Sequence, residues 1–94
     1  MNITGILWMR NIVDKLAWKH SVSTDEVEEL FNHSPRFRFI ERGDVDGEHL
    51  YAALGQTDAG RYLIVFFVFK LTGDALIVSA REMTGKERKW YGKK

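Results

Sequence analysis

The chain has no cysteine, a single proline and no apolar run longer than a β-strand. Without cysteine there is no disulfide and no thiolate metal site, and a reducing, cytoplasmic setting is expected. The longest apolar run, Tyr62–Phe69, is too short to cross a bilayer, and the opening residues do not place a basic stretch before an apolar signal core. No membrane partner is therefore expected. The three histidines, His20, His33 and His49, stand apart at spacings unlike those of a zinc site. Asp44–Glu48 (DVDGE) lacks the ligand spacing of a helix–loop–helix calcium site, and there is no glycine-rich phosphate loop or acidic metal cluster. Neither a metal nor a cofactor is expected.

What remains is ordinary globular material. Ninety-four residues, 45% apolar and 29% charged, predict one domain over residues 1–94 with a single modest core. A net charge of +1 conceals a division along the chain. Between Asp25 and Glu48 eight carboxylates face only Arg36, Arg38 and Arg42. From Arg81 onward Arg81, Lys86, Arg88, Lys89, Lys93 and Lys94 outnumber Glu82 and Glu87. Such polarity bears on partners rather than on fold, and a basic end predicts an anionic one.

Hydrophobic spacing gives the element order. Ile3–Trp8 is either an edge strand or the lead into a helix, and Ile12, Val13, Leu16, Ala17 and His20 recur at helical spacing over roughly Arg10 to Lys19. Ser23 with Glu26 forms a capping box, flanked by Val22 and Val27 as a hydrophobic staple, so a second helix starts there and stops before Pro35. Arg36–Phe39 then alternates as a half-buried strand whose arginines form a solvated face. Turns at Gly43–Gly47, Thr57–Gly60 and Thr72–Asp74 separate three further strands, ending at Arg81. Thr84 with Glu87 is a second capping box and starts a short terminal helix.

The expected architecture is α+β: two N-terminal helices packed on one face of a four-stranded antiparallel meander. Tyr62–Phe69 is apolar on both sides, with Leu63, Val65, Phe67 and Phe69 on one and Ile64, Phe66 and Val68 on the other. Two helices cover only one of those faces. The second must be covered by the terminal helix, a partner protein or a second copy.

Chemistry is expected where the last strand ends. Arg81 follows the apolar run Leu76–Val78, so its guanidinium is held by rigid backbone and is suited to clamp a phosphate with two parallel hydrogen bonds. Arg81 with Tyr91 and with Lys19 or His20 would make a cationic, aromatic pocket for a phosphodiester and a base. The plainer readings are an Arg81 paired with Glu82 or Glu87, a His20 at the edge of the core, and tryptophans (Trp8, Trp18, Trp90) that only pack.

These residues resemble the BrnT family. Trp8 before a helix, Lys19-His20-Ser21-Val22 (commonly Lys-His-Gly-Val there) and Glu26–Phe31 match its N-terminal signature. Gly47-Glu48, Leu54-Gly55, Gly60-Arg61, Ile77–Arg81 and Lys86-Glu87-Arg88 with Tyr91 follow in order. The resemblance implies the toxin of a type II toxin–antitoxin pair with a RelE-like fold: an endoribonuclease that blocks translation. It implies neutralisation by a BrnA-like antitoxin with a ribbon–helix–helix domain, and contact with promoter DNA only through that complex. Mapped onto RNA cleavage by 2′-hydroxyl attack without metal, the expected catalytic residues are Arg81, Glu87 and His20, with Tyr91 or Arg88 stacking or positioning the RNA. Lys19, Arg61, Arg88, Tyr91 and Lys86 are the expected RNA-binding residues. The competing readings are a catalytically inactive homologue that binds antitoxin and tunes repression, and a general nucleic-acid-binding protein.

Overall fold

Both capping boxes form. In the computed structural model, which describes residues 1–93, Ser23 Oγ accepts from Glu26 N at 3.1 Å and the Glu26 carboxylate accepts from Ser23 N at 3.1 Å. Val22 and Val27 close over this reciprocal cap and are fully buried, which starts helix α2 (Thr24–Asn32) at the expected residue. Thr84 and Glu87 do the same for α3 (Gly85–Gly92). Lys94, counted above in the basic segment, lies outside the described residues.

The first helix departs from expectation. Helix α1 (Arg10–Lys15) runs on as a widened π turn over Leu16–His20 and stops at Ser21, whose φ of 53° is left-handed. A residue with a Cβ is strained there by about 1 kcal/mol relative to glycine. Ser21→Gly is expected to raise the melting temperature by several degrees in a thermal melt followed by circular dichroism.

Five strands form one sheet: β1 (Gly5–Leu7), β2 (Arg36–Glu41), β3 (Leu50–Gln56), β4 (Tyr62–Phe69) and β5 (Asp74–Glu82), in the order β1-β5-β4-β3-β2. The β2–β5 meander is antiparallel as expected. The four-stranded expectation is corrected by β1, which pairs parallel to β5 with Gly5 opposite Asp74. The physical reason is that the outer edge of β5 would otherwise leave backbone groups unpaired beside the core. Thr4 N donates to Gly73 O at 2.9 Å to start the pairing, and Ile6 packs against the helix-side core.

The two faces of β4 separate two clusters. Leu63, Val65 and Phe67 join Leu16, Val22, Val27, Leu30 and Ile77 under α1 and α2. On the other face Ile64 joins Ala52, Leu54 and Met83, and Tyr62, Phe66, Trp90 and Tyr91 pack over them. Helix α3 thus covers part of the second face. The remainder, around Val68, Leu76 and Val78, lines an open groove with Leu50 and the Arg42–Val45 loop.

The arginines of β2 are not a free solvated face. Arg36 and Arg38 place their guanidinium carbons 4.3 and 5.1 Å from the centre of the Trp90 ring. Arg36 Nη1 also donates to the carbonyls of Trp90 (2.6 Å) and Tyr91 (3.0 Å), satisfying the end of α3.

Candidate functional site

Arg81 stands near the end of β5 on the face that carries α3, and it is paired with Glu87, the plainer of the two readings of this residue. It registers opposite Ile64, and its guanidinium lies 5.5 Å from the Phe66 ring centre. Its two terminal nitrogens donate in parallel to Glu87, at 2.8 Å to Oε1 and 2.9 Å to Oε2, and Nη1 also reaches the Glu82 carbonyl at 3.1 Å. Glu87 is simultaneously the capping residue of α3, since Oε1 accepts from Thr84 N at 2.8 Å. One carboxylate therefore fixes the helix start and aims the arginine.

That arrangement sets the charges. The bidentate Arg81 guanidinium, aided by Thr84 N–H against the cost of burial, holds the Glu87 carboxyl at about 2 instead of 4.5. Glu87 raises Arg81 further above its already high value. A carboxylate so weakly basic is a poor proton acceptor; the geometry fits Glu87 to positioning Arg81 rather than to acting as the base.

Burial opposes the charge of Glu26, but the Ser23 N–H and Arg61 outweigh it and lower its pKa as well. Carboxyls depressed in the fold contribute stability that is complete above their unfolded values and lost as pH falls through their folded ones. Denaturant titrations are accordingly expected to lose stability between about pH 4.5 and 2, by about 1–2 kcal/mol for Glu87 after allowance for solvent screening. Glu87→Gln, which preserves the cap, should flatten that part of the profile.

Around the ion pair lies a basic, aromatic surface. Arg88 stacks its guanidinium 4.0 Å from the Tyr62 ring centre, and Tyr62 meets Tyr91 edge to face at 6.1 Å. Lys86 and Lys89 are exposed on the same short helix. Arg81, Arg88, Tyr91 and Lys86 are thus brought to one end of the sheet.

Lys19 and His20 end the π turn whose Leu16 belongs to the helix-side core, and His20 O accepts from Arg61 Nη2, which also donates to Glu82 beside Arg81. Arg61 is held by internal partners. Its Nη1 donates to Ser21 O (2.6 Å) and to both Glu26 oxygens (3.1 Å each), and its Nη2 to His20 O (3.2 Å) and Glu82 (3.2 Å). Every terminal donor position is engaged, which makes Arg61 a pin between the helix pair and the sheet.

One pair was not expected from sequence. His33, the C-terminal cap of α2, bonds through Nε2 to Asp58 in the β3–β4 turn. Twenty-five positions separate them, so no local spacing signals the contact. Both lie beside Tyr91 in a cleft of about 330 Å³ with Gln56, Thr57 and Gly60. Among the described residues no three His, Asp or Glu side chains converge in a metal-binding group, and no helix is long and apolar enough to cross a membrane.

Comparison with known proteins gives one match. A family model described as "Ribonuclease toxin, BrnT, of type II toxin-antitoxin system" covers residues 8–87. Among curated proteins none matches the chain.

Proposed function

The chain belongs to the BrnT family of ribonuclease toxins of type II toxin–antitoxin systems, whose members pair with an antitoxin protein, and from that premise we propose that it cleaves RNA without metal and thereby inhibits translation in the cytoplasm. The observation that carries this reading is the basic, aromatic surface on α3 built around a pre-aimed Arg81. Arg88, Lys86 and Lys89 attract the RNA backbone; Tyr62 and Tyr91 offer rings on which a base stacks. Arg81 stabilises the extra negative charge of the phosphorane when the 2′-hydroxyl attacks the adjacent phosphorus. Glu87 must share or release the guanidinium as the phosphate arrives, so RNA displaces a carboxylate rather than entering an empty cradle.

The proposed neutralising partner is a BrnA-like protein with a ribbon–helix–helix domain, through which the complex reaches promoter DNA. The groove along Val68, Leu76 and Val78 supports a chain that spends time in complex, because apolar strand surface is left without cover. A RelE-like arrangement is the proposed relationship of the fold.

Incubation of the purified protein with RNA in the presence of a chelator, followed by end-group analysis, tests the reading. The expected result is cleavage leaving 2′,3′-cyclic phosphate ends. Salt-sensitive binding without cleavage would favour an inactive homologue or a general nucleic-acid-binding protein.

A further inference from the structure

We propose that His33 is the proton-accepting catalytic residue of this ribonuclease and Asp58 its positioning partner, an inference that rests on the ribonuclease reading above. A base is needed beside the phosphate-binding surface, and the two groups suggested by sequence do not supply it. Glu87 is locked to Arg81, and among the described residues the His20 side chain has no carboxylate to orient it. Among the described residues His33 is the one histidine bonded to a carboxylate. Imidazole is the side chain best suited to exchanging protons near neutral pH.

The dyad is built on restrained backbone. Asp58 sits in a turn closed by Gly60 N to Thr57 O (2.9 Å) and by Arg61 N to Thr57 Oγ1 (3.0 Å). Its own N–H donates to Glu29 Oε1 at 3.0 Å, tying the turn to α2. His33 is followed by Ser34 at φ 50°, a left-handed position that a serine adopts only under strain, directly before Pro35. Strain, turn and carboxylate together present the ring to the cleft. With Nε2 engaged by Asp58, Nδ1 has no hydrogen-bond partner among the described residues. A base oriented by a carboxylate through its other nitrogen is the arrangement that nucleophile activation requires.

Tyr91 connects this cleft to the cationic surface. It lines the His33–Asp58 cleft and a second one with Arg36, while its ring meets Tyr62 beneath Arg88. An RNA strand laid across Tyr91 has its backbone beside arginines and a 2′-hydroxyl within the dyad's cleft. In the step, the 2′-oxygen forms a bond to phosphorus and its proton passes to His33 Nδ1. The bond from phosphorus to the 5′-oxygen breaks, that oxygen takes a proton from water, and the resulting hydroxide is neutralised by the proton on His33.

The test uses the full chain and an RNA that the parent cleaves. His33→Ala is expected to lower kcat by about 100-fold or more with KM within about threefold, and added imidazole should restore at least about tenfold. Asp58→Asn should lower kcat by about tenfold with the histidine still present. Both variants should melt close to the parent, because an exposed ion pair adds little stability. A His33→Ala protein that cleaves like the parent overturns the role of His33 and leaves the ribonuclease reading standing. Loss of activity that imidazole does not relieve, accompanied by an equal loss of RNA binding, overturns it too. A parent protein that cleaves no RNA overturns both.

Discussion

Replacing Arg81 with alanine is expected to lower RNA cleavage by about 100-fold or more while the protein stays folded, the scale seen when a single preorganised charge-stabilising donor is removed. The argument is geometric. Arg81 projects from the last residues of a strand paired there with β4, and Glu87 holds its fork 5.5 Å from the centre of the Phe66 ring. The side chain is already ordered when the phosphate arrives, and the step that remains is exchange of its Glu87 contact for the phosphate. Structural damage should be limited, because the Glu87 carboxylate left behind still caps α3 through Thr84 N. A stability loss of about 1–2 kcal/mol is expected from the missing pair. Arg81→Lys separates charge from geometry: it keeps the cation, loses the two-pronged contact, and should recover only a minor part of the activity. If a folded Arg81→Ala protein arrests growth and cuts RNA like its parent, the phosphate clamp lies elsewhere.

Arg61→Ala should have the opposite signature: a structural collapse in stability with no selective effect on chemistry. The guanidinium, about a quarter exposed, meets Glu26, Glu82 and two backbone carbonyls in one place. Its removal leaves the half-buried Glu26 carboxylate and the carbonyls of His20 and Ser21 without their donor, at a cost of about 2–3 kcal/mol. For a domain of this size that lowers the melting temperature by more than about 8 °C. Arg61→Lys should recover little, since one ammonium cannot span four acceptors. A variant that melts like the parent but fails to bind RNA would return Arg61 to the list of RNA contacts.

Local chemistry was the legible part of this chain. Two reciprocal caps, the staple at Val22 and Val27 and the alternation of β2 each lie within a few residues, and each is found where the pattern places it. The split faces of Tyr62–Phe69 were equally readable, since a strand's side chains alternate whatever its partners. Pairings between distant segments were not. Three residues at Gly5–Leu7 carry too short a pattern to distinguish a parallel edge strand from a helix lead. His33 and Asp58 read as isolated polar residues until the fold joins α2 to the β3–β4 turn. Arg61 was expected to bind RNA because nothing near it in sequence reveals four acceptors gathered from two helical segments and β5. The engagement of Arg81 was available in principle: a glutamate at the third position of a capped helix is fixed in space, and Arg81 ends the strand just before it.

The position of β5 between β1 and β4 has a kinetic consequence. An interior strand made after the other four, one of them its parallel neighbour, keeps the sheet unfinished until Asp74–Glu82 has left the ribosome. Closing so large a loop is slow on the scale of hairpin formation. A nascent chain interrupted before Asp74 therefore leaves one edge of β4 unpaired and strips Ile77 and Ala80 from the core around Val65 and Phe67, and should be degraded or aggregate rather than survive as a partial toxin.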